Sequence, residues 1–118
     1  MFEIKNINDT AIAVINKDMR VNSSQDFLDI MVQVYYDKAR CMGIAISEES
    51  ILDDFFDLKK GIAGDVLQKF SNYSIKVSIY GDFTQFSSKS LTDFMRECNR
   101  GNLVSFVNDT DEAIKKLS

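Results

Sequence analysis

The sequence contains no histidine, no tryptophan and no proline among its 118 residues. Without an imidazole, Ser-His and Cys-His catalytic pairs and the common zinc sites are excluded. No recognisable spacing brings an acid, a base and a nucleophile together either. We therefore expect a protein that is not an enzyme, with no catalytic residue, no metal ligand set and no cofactor.

Cysteine is scarce, and long hydrophobic runs are missing. Cys41 and Cys98 have no CxxC partner, which favours two small buried hydrophobes over a redox or metal pair. The first residues carry Glu3, Lys5 and Asp9, where a signal peptide needs uninterrupted apolar residues. No later segment has the length of a membrane span. We expect a cytoplasmic protein without a membrane partner.

Charge of one sign is also not concentrated anywhere. Fourteen basic and 18 acidic residues give a net charge of -4, and no basic stripe is present. Nucleic acid is therefore not an expected partner. The chain is 45% hydrophobic and 27% charged, as is usual for one soluble globular domain, here residues 1–118.

The hydrophobic periodicity predicts alternating strands and helices. The runs FEIKNI and TAIAVI flank the turn formers Asn8 and Asp9, which predicts an N-terminal β-hairpin. Residues 23–40 have helical spacing of apolar residues up to Tyr35, with a capping box at Ser23 and Asp26. MGIAI, residues 42–46, is typical of a strand covered on both faces.

The second half of the chain repeats this alternation. Residues 53–70 are typical of an amphipathic helix, and SIKVSIYG predicts a strand with one face less buried than that of its neighbour. A serine-rich loop follows, in which turn and capping roles explain Ser87, Ser88 and Ser90. We expect Ser90 to cap a helix that ends at Gly101, followed by the strand NLVSFV and a helix capped by Asp109.

The predicted order is ββαβαβαβα, an α/β domain with a five-stranded mixed sheet. In length and element order it resembles the STAS fold, the sulfate transporter and anti-sigma factor antagonist domain. The segments FFDLKKGIAGDVLQKFSNY, VSIYGDF and SKSLTDFMRECNRG resemble a bacterial family of unknown function, number 4180. That resemblance implies no known activity. Edge strands of such a sheet can pair between chains, so a homodimer stays open.

Two glycines inside the predicted helix need an explanation, because each costs about 0.5 to 1 kcal/mol relative to alanine. One interpretation is that Gly61 and Gly64 allow close packing against the sheet or another helix. The other is that the helix begins near Asp57 as N-cap, and its first turns stay open to a partner or an anion. Both interpretations can be true if they apply to opposite sides of the helix.

The leading functional hypothesis is a regulatory module that binds another protein. In anti-sigma factor antagonists the corresponding helix starts with an Asp-Ser-(Ser/Thr)-Gly pattern whose serine is phosphorylated. Here DLKKG stands instead, so that switch is not carried over. The predicted partner-binding residues combine this helix start with the GDF loop: Asp57, Lys59, Lys60, Gly61, Gly64, Asp82 and Phe83. The alternative for the two lysines is a solvated face.

A ligand-binding domain is the competing hypothesis. Acidic and amide side chains follow three parallel strands, at an edge where ligands often bind, and could hold Mg²⁺: Glu48, Glu49, Asp82, Asn108 and Asp109. Turn and capping roles explain the same residues without a metal. An apolar ligand would instead need a cavity under Phe55, Phe56, Phe83 and Phe86, although these rings can also fold into the core.

Overall fold

Strands and helices alternate along the chain after an N-terminal hairpin. The computed structural model describes residues 2–86 and 88–118, so the role predicted for Ser87 lies outside the described residues. The strands are β1 Phe2–Ile7, β2 Thr10–Ile15, β3 Gly43–Ser47, β4 Lys76–Tyr80 and β5 Val104–Val107. The helices are α1 Ser24–Tyr35, α2 Ile62–Tyr73, α3 Lys89–Arg100 and α4 Thr110–Leu117. The predicted order is confirmed.

The five strands form one mixed sheet in the order β1-β2-β3-β4-β5. β1 pairs antiparallel with β2, and the other pairings are parallel. The hairpin turn uses Asn8 and Asp9 at φ values of 50° and 66°, the left-handed backbone that a tight two-residue hairpin requires. The predicted hairpin is thus confirmed, together with its turn residues.

Side chains alternate between the two faces of the sheet and build two cores. Ile44 and Ile46 of β3 belong to the larger core, to which α1, α2 and α3 all contribute buried residues. Ala45 points into the smaller core, which α4 closes with Ala113 and Leu117. Three crossover helices therefore share one face, and α4 covers the other.

β4 is buried on both faces, which corrects the prediction that one face would be less buried. Every residue of Val77–Tyr80 is buried, because α4 packs across β3, β4 and β5. Under α4, the Ser105 hydroxyl of β5 donates to Ser78 Oγ at 2.8 Å, so a polar side chain that suggested an open face is buried with a hydrogen-bond partner.

The helix starts follow the capping pattern with one correction. The Asp26 N–H donates to Ser23 Oγ at 3.2 Å, and the Glu112 N–H donates to Asp109 Oδ1 at 2.9 Å. α3 is capped by Ser88, which accepts from the Leu91 N–H, so the prediction of Ser90 is wrong by two residues.

The segment predicted as one helix over residues 53–70 is divided. Two 3-10 turns, Asp53–Phe56 and Leu58–Lys60, precede α2, which begins only at Ile62. Phe55 and Phe56 are both buried, although they are adjacent in sequence. The 3-10 turn thus brings both rings into the core at a point where an α-helix was predicted.

In the described part of the chain, no helix combines the length and apolar character needed to cross a membrane.

Candidate functional site

The predicted partner-binding residues lie at the carboxyl end of the parallel strands, in two segments that meet through aromatic packing. Asp57, Lys59 and Lys60 are exposed on the 3-10 turn before α2. Phe56, directly before them, packs its ring 6.0 Å from that of Phe83. The GDF loop therefore adjoins the start of α2, as the hypothesis requires. We call these seven predicted residues the α2 surface.

The second interpretation of the glycines assumed that Asp57 caps α2, and this is wrong. Its carboxylate accepts from the Lys59 N–H at 3.2 Å and so caps the 3-10 turn. Gly61 is the N-cap of α2 at φ 78°, a left-handed conformation that favours glycine. The backbone turn, rather than close packing, explains Gly61.

Neither a backbone turn nor close packing explains Gly64. A Cβ atom built on Gly64 would meet nothing within 4 Å, and its backbone is ordinary helix. The close-packing interpretation is therefore wrong for both glycines, since Gly61 also has open space around it. Gly64 leaves a bare patch on the first turn of α2.

The phenylalanine residues at this end form a packed cluster without a ligand cavity. Phe56 stacks on Phe86 with ring centroids 4.4 Å apart, and Phe83 meets Phe106 edge-on at 5.6 Å. An internal space beside them, lined by Phe27, Phe55, Phe94 and Phe106 among others, has a volume of about 10 Å³. That volume is about the minimum that one water molecule needs. The predicted apolar cavity is filled by the protein itself.

The predicted acidic residues do come together, in a shallow depression of about 220 Å³ lined by Glu48, Glu49, Asp82, Asn108 and Asp109. Local structure already uses two of these carboxylates. Asp82 Oδ1 accepts from the Thr84 N–H at 2.9 Å and from its hydroxyl, while Asp109 caps α4. Across residues 2–86 and 88–118, no group of three or more carboxylates or thiols is arranged to hold a metal ion.

Burial and neighbouring charges set the electrostatics of this depression. Burial, followed by the Glu49 carboxylate, raises the pKa of Glu48, although Gln85 donates to Glu48 Oε2 at 3.1 Å. The two hydrogen bonds from Thr84 lower the pKa of Asp82. The depression therefore contains Glu48, whose ionised form is disfavoured, and Asp82, whose ionised form is stabilised by hydrogen bonds.

A second concave site, which the sequence did not predict, lies at the opposite end of the sheet. It is an open cleft of about 460 Å³ where α1 and α2 end and β3 and β4 begin. Tyr35, Tyr36 and Tyr73 line it together with Lys38 and Arg40. The four large apolar residues that the described chain leaves exposed all belong to this site: Tyr35, Tyr36, Met42 and Tyr73. We call it the tyrosine cleft.

The three tyrosine rings are arranged around Tyr35. Its ring meets that of Tyr36 at 5.0 Å and 78°, and that of Tyr73 at 5.5 Å and 76°. Such edge-to-face pairs are a favourable aromatic geometry. The buried residues Cys41 and Ile75 complete the lining. Burial, then Asp37, raises the pKa of the Cys41 thiol, so at neutral pH it stays a protonated and weakly nucleophilic apolar group.

The loop that carries the cleft is fixed by backbone hydrogen bonds. α1 ends at Tyr35 rather than continuing to Arg40, and the Arg40 N–H donates to the Asp37 carbonyl at 3.0 Å. The Ala39 N–H donates to Asp37 Oδ1 at 2.9 Å. Arg40 itself has a φ of 54°, the left-handed region. The loop geometry therefore exists before any ligand binds.

The sequence contained a weak signal for this cleft. Tyr35 fits the apolar spacing of α1, yet it is 48% exposed. Two adjacent tyrosines followed by Lys38 and Arg40 place aromatic rings and cations at a helix end. Tyr73 joins them only through the fold, so the full constellation was not visible in the sequence.

Comparison with known proteins identifies a family. No curated protein matches the chain, and no solved structure does. The model of a family described as Domain of unknown function (DUF4180) matches residues 7–117, which is nearly the whole chain. This protein therefore belongs to the DUF4180 family.

Proposed function

We propose that the protein is a small non-catalytic module of the cytoplasm that regulates another protein by binding it through the α2 surface. The observation that carries this proposal is the bare patch at Gly64. Glycine inside a helix costs about 0.5 to 1 kcal/mol relative to alanine. Neither backbone conformation nor packing within the described residues offsets that cost. A partner that approaches the α2 backbone closely would offset it.

The surroundings of the patch support the same proposal. Lys59 and Lys60 are exposed and form no salt bridge with a described residue, so they are available to an acidic partner. Asp82 is held in its turn by Thr84, and Phe83 is anchored by Phe56 and Phe106. The neighbouring loop is thus ordered before binding, which lowers the entropic cost of association.

The resemblance to the STAS fold gives this proposal its regulatory sense. Because Leu58, Lys59 and Lys60 stand where an acceptor serine would be, the proposed binding does not depend on phosphorylation at this position. A homodimer through the exposed edge of β1 is compatible with it, since β1 has a partner strand on one side only.

The test uses a bulky substitution and a small one at the same position. Tagged wild type, Gly64→Ala and Gly64→Arg are incubated with native-host lysate, and captured proteins are identified by mass spectrometry. The identified protein is then purified and its affinity for each variant is measured. We expect wild type to bind it most tightly, Gly64→Ala to bind it more weakly because the added methyl group meets the approaching partner, and Gly64→Arg to lose binding by more than about tenfold.

Open space around Gly64 allows both variants to fold, and a thermal melt verifies this. Equal binding by Gly64→Arg would reject the α2 surface as the binding site. Capture of no specific protein by wild type would reject the protein-binding function as a whole.

A further inference from the structure

We propose that the tyrosine cleft is a binding site for a small aromatic anion, meaning a planar ring that carries a carboxylate or a phosphate. This site is separate from the α2 surface and lies at the other end of the sheet. The proposal does not depend on the protein-binding function.

The first argument is the shape and lining of the cleft. Its volume of about 460 Å³ lies within the range of small-molecule sites, about 300 to 1,000 Å³. Most of its lining is apolar, with a few polar groups at the rim, as such sites require. By comparison, the space beside the phenylalanine cluster is about 10 Å³.

The second argument is the exposure of its aromatic residues. Tyr36 is 75% and Met42 57% exposed, whereas the described phenylalanines are buried or half-buried. The sequence therefore has apolar side chains that the fold leaves in water, and they are gathered in one place. Tyrosine faces stack well on planar rings, as aromatic side chains do on nucleobases in other proteins.

The third argument is charge, and it selects an anion. Lys38 and Arg40 both line the cleft, and neither forms a salt bridge with a described residue. Asp37 also lines it, but its carboxylate accepts from the Ala39 N–H, so part of its charge is directed into the loop. Guanidinium groups bind carboxylates and phosphates in a planar two-bond geometry, which fits a ligand with one such group.

The fourth argument is preorganisation. Backbone hydrogen bonds hold residues 36–42, and the Met42 carbonyl accepts from the Lys76 N–H at 3.1 Å, which ties the loop to β4. Arg40 keeps a left-handed backbone, which is unfavourable for a non-glycine residue. The loop thus places a guanidinium at the rim at the expense of local stability.

The test measures the affinity of the full chain for 2-naphthoate and for adenosine monophosphate by isothermal titration calorimetry. The first probe offers a ring with a carboxylate, and the second a ring with a phosphate, so the two arms distinguish the anionic groups. Cyclohexanecarboxylate has the charge without the aromatic ring, and phenyltrimethylammonium has an aromatic ring with the opposite charge. We expect at least one of the first two to bind more tightly than both of the others by about tenfold or more.

Two double variants of equal charge change supply the matched control. Lys38→Gln with Arg40→Gln removes two cations from the cleft, while Lys59→Gln with Lys60→Gln removes two from the α2 surface. We expect about tenfold weaker probe binding for the first pair and no change for the second. Capture of a protein partner should change in the opposite way, so the two proposals fail separately.

One further variant, Arg40→Gly, tests whether weaker binding can arise without a loss of stability. Arg40→Gly removes the guanidinium and also relieves the left-handed backbone, so it should melt no lower than wild type while it binds the probe more weakly. The proposal is overturned if neither aromatic anion binds at about 1 mM, if the aromatic cation binds more tightly, or if Lys59→Gln with Lys60→Gln weakens the probe equally.

Discussion

The two ends of the sheet both gather aromatic residues, and they treat them in opposite ways. At the carboxyl end, Phe56, Phe83 and Phe86 pack on one another and close the core. At the amino end, Tyr35, Tyr36 and Tyr73 touch at similar distances but leave a cleft of about 460 Å³. Aromatic content alone therefore does not distinguish a core from a binding site.

The hydroxyl group and the place in the fold account for this difference. Phenylalanine has no polar atom and gains most from complete burial, whereas a tyrosine ring can keep its hydroxyl in water. The segments after β3 and β4 place Phe56 and Phe83 at the carboxyl end of the sheet, where their rings pack on each other. Tyr35 and Tyr73 are the last residues of α1 and α2, and they stay 48% and 38% exposed.

Truncating one ring at each end of the sheet tests this contrast and has the largest expected effect on stability. Phe56→Ala should lower the free energy of unfolding by about 3 to 5 kcal/mol, because it removes a buried ring with three aromatic neighbours. Tyr36→Ala should change it by less than about 0.5 kcal/mol, because that ring is mostly in water. Urea denaturation of both variants measures the difference. Equal losses would mean that the tyrosine cleft is part of the core.

The turn after β4 offers the next largest effect. Gly81 has a φ of 151°, and a Cβ atom there would overlap Glu48 Cγ. Gly81→Ala should therefore destabilise the protein by about 2 to 3 kcal/mol and displace the GDF loop of the carboxyl end. Gly101→Ala is the matched control, because its nearest contact is an ordinary 3.6 Å and its φ is -90°. A Gly81→Ala variant as stable as wild type would contradict the described turn.

Gly61 and Gly64 sharpen the comparison within the carboxyl end itself. Gly61→Ala should cost about 1 kcal/mol, because φ is 78° there, whereas Gly64→Ala should gain about 0.5 to 1 kcal/mol from helix propensity. Thermal melts of the two variants should shift in opposite directions. If Gly64→Ala destabilised the protein, the patch would not be bare, and the observation behind the proposed function would be lost.

The smallest expected effect concerns pH and the acidic depression. Because the pKa of Glu48 is raised in the fold above its ordinary value of 4.5, the protonated group favours folding. That contribution is complete below pH 4.5 and is lost as the pH rises through the folded pKa. Glu48→Gln should therefore melt higher than wild type at pH 7, with an advantage that disappears below pH 4.5.

Glu3→Gln on β1 is the control for this pH experiment, because it removes one exposed carboxylate that does not line the depression and so measures the effect of net charge. An advantage of Glu48→Gln that was equal at both pH values, or matched by Glu3→Gln, would contradict the cause assigned to the pKa of Glu48.

Local patterns in the sequence were sufficient for the order of the elements but not for how tertiary packing divides them. Alternation and capping residues predicted the hairpin, all five strands and the starts of α1 and α4. The prediction of a continuous helix was wrong for residues 53–61, because Phe55 and Phe56 fit a helical pattern yet lie buried in a 3-10 turn. The prediction of a less buried face on β4 was wrong, because α4, which is distant in sequence, covers that face.

The candidate sites were predictable to different degrees for a related reason. The α2 surface and the acidic depression follow from strand ends, which the element order fixes, so their residues could be named from the sequence. The tyrosine cleft needs Tyr73 of α2 beside Tyr35 of α1, a contact between residues far apart in the chain. Only the packing of the two helices supplies it.

The central claim is that the open end of the sheet, rather than the closed one, accepts a small ligand. Titration of ¹⁵N-labelled protein with 2-naphthoate, followed by amide chemical shifts, tests it most directly. The account predicts shifts confined to residues 35–42 and 73–76, around the tyrosine cleft. Shifts centred on residues 53–64 and 81–86, or no shifts at all, would contradict it.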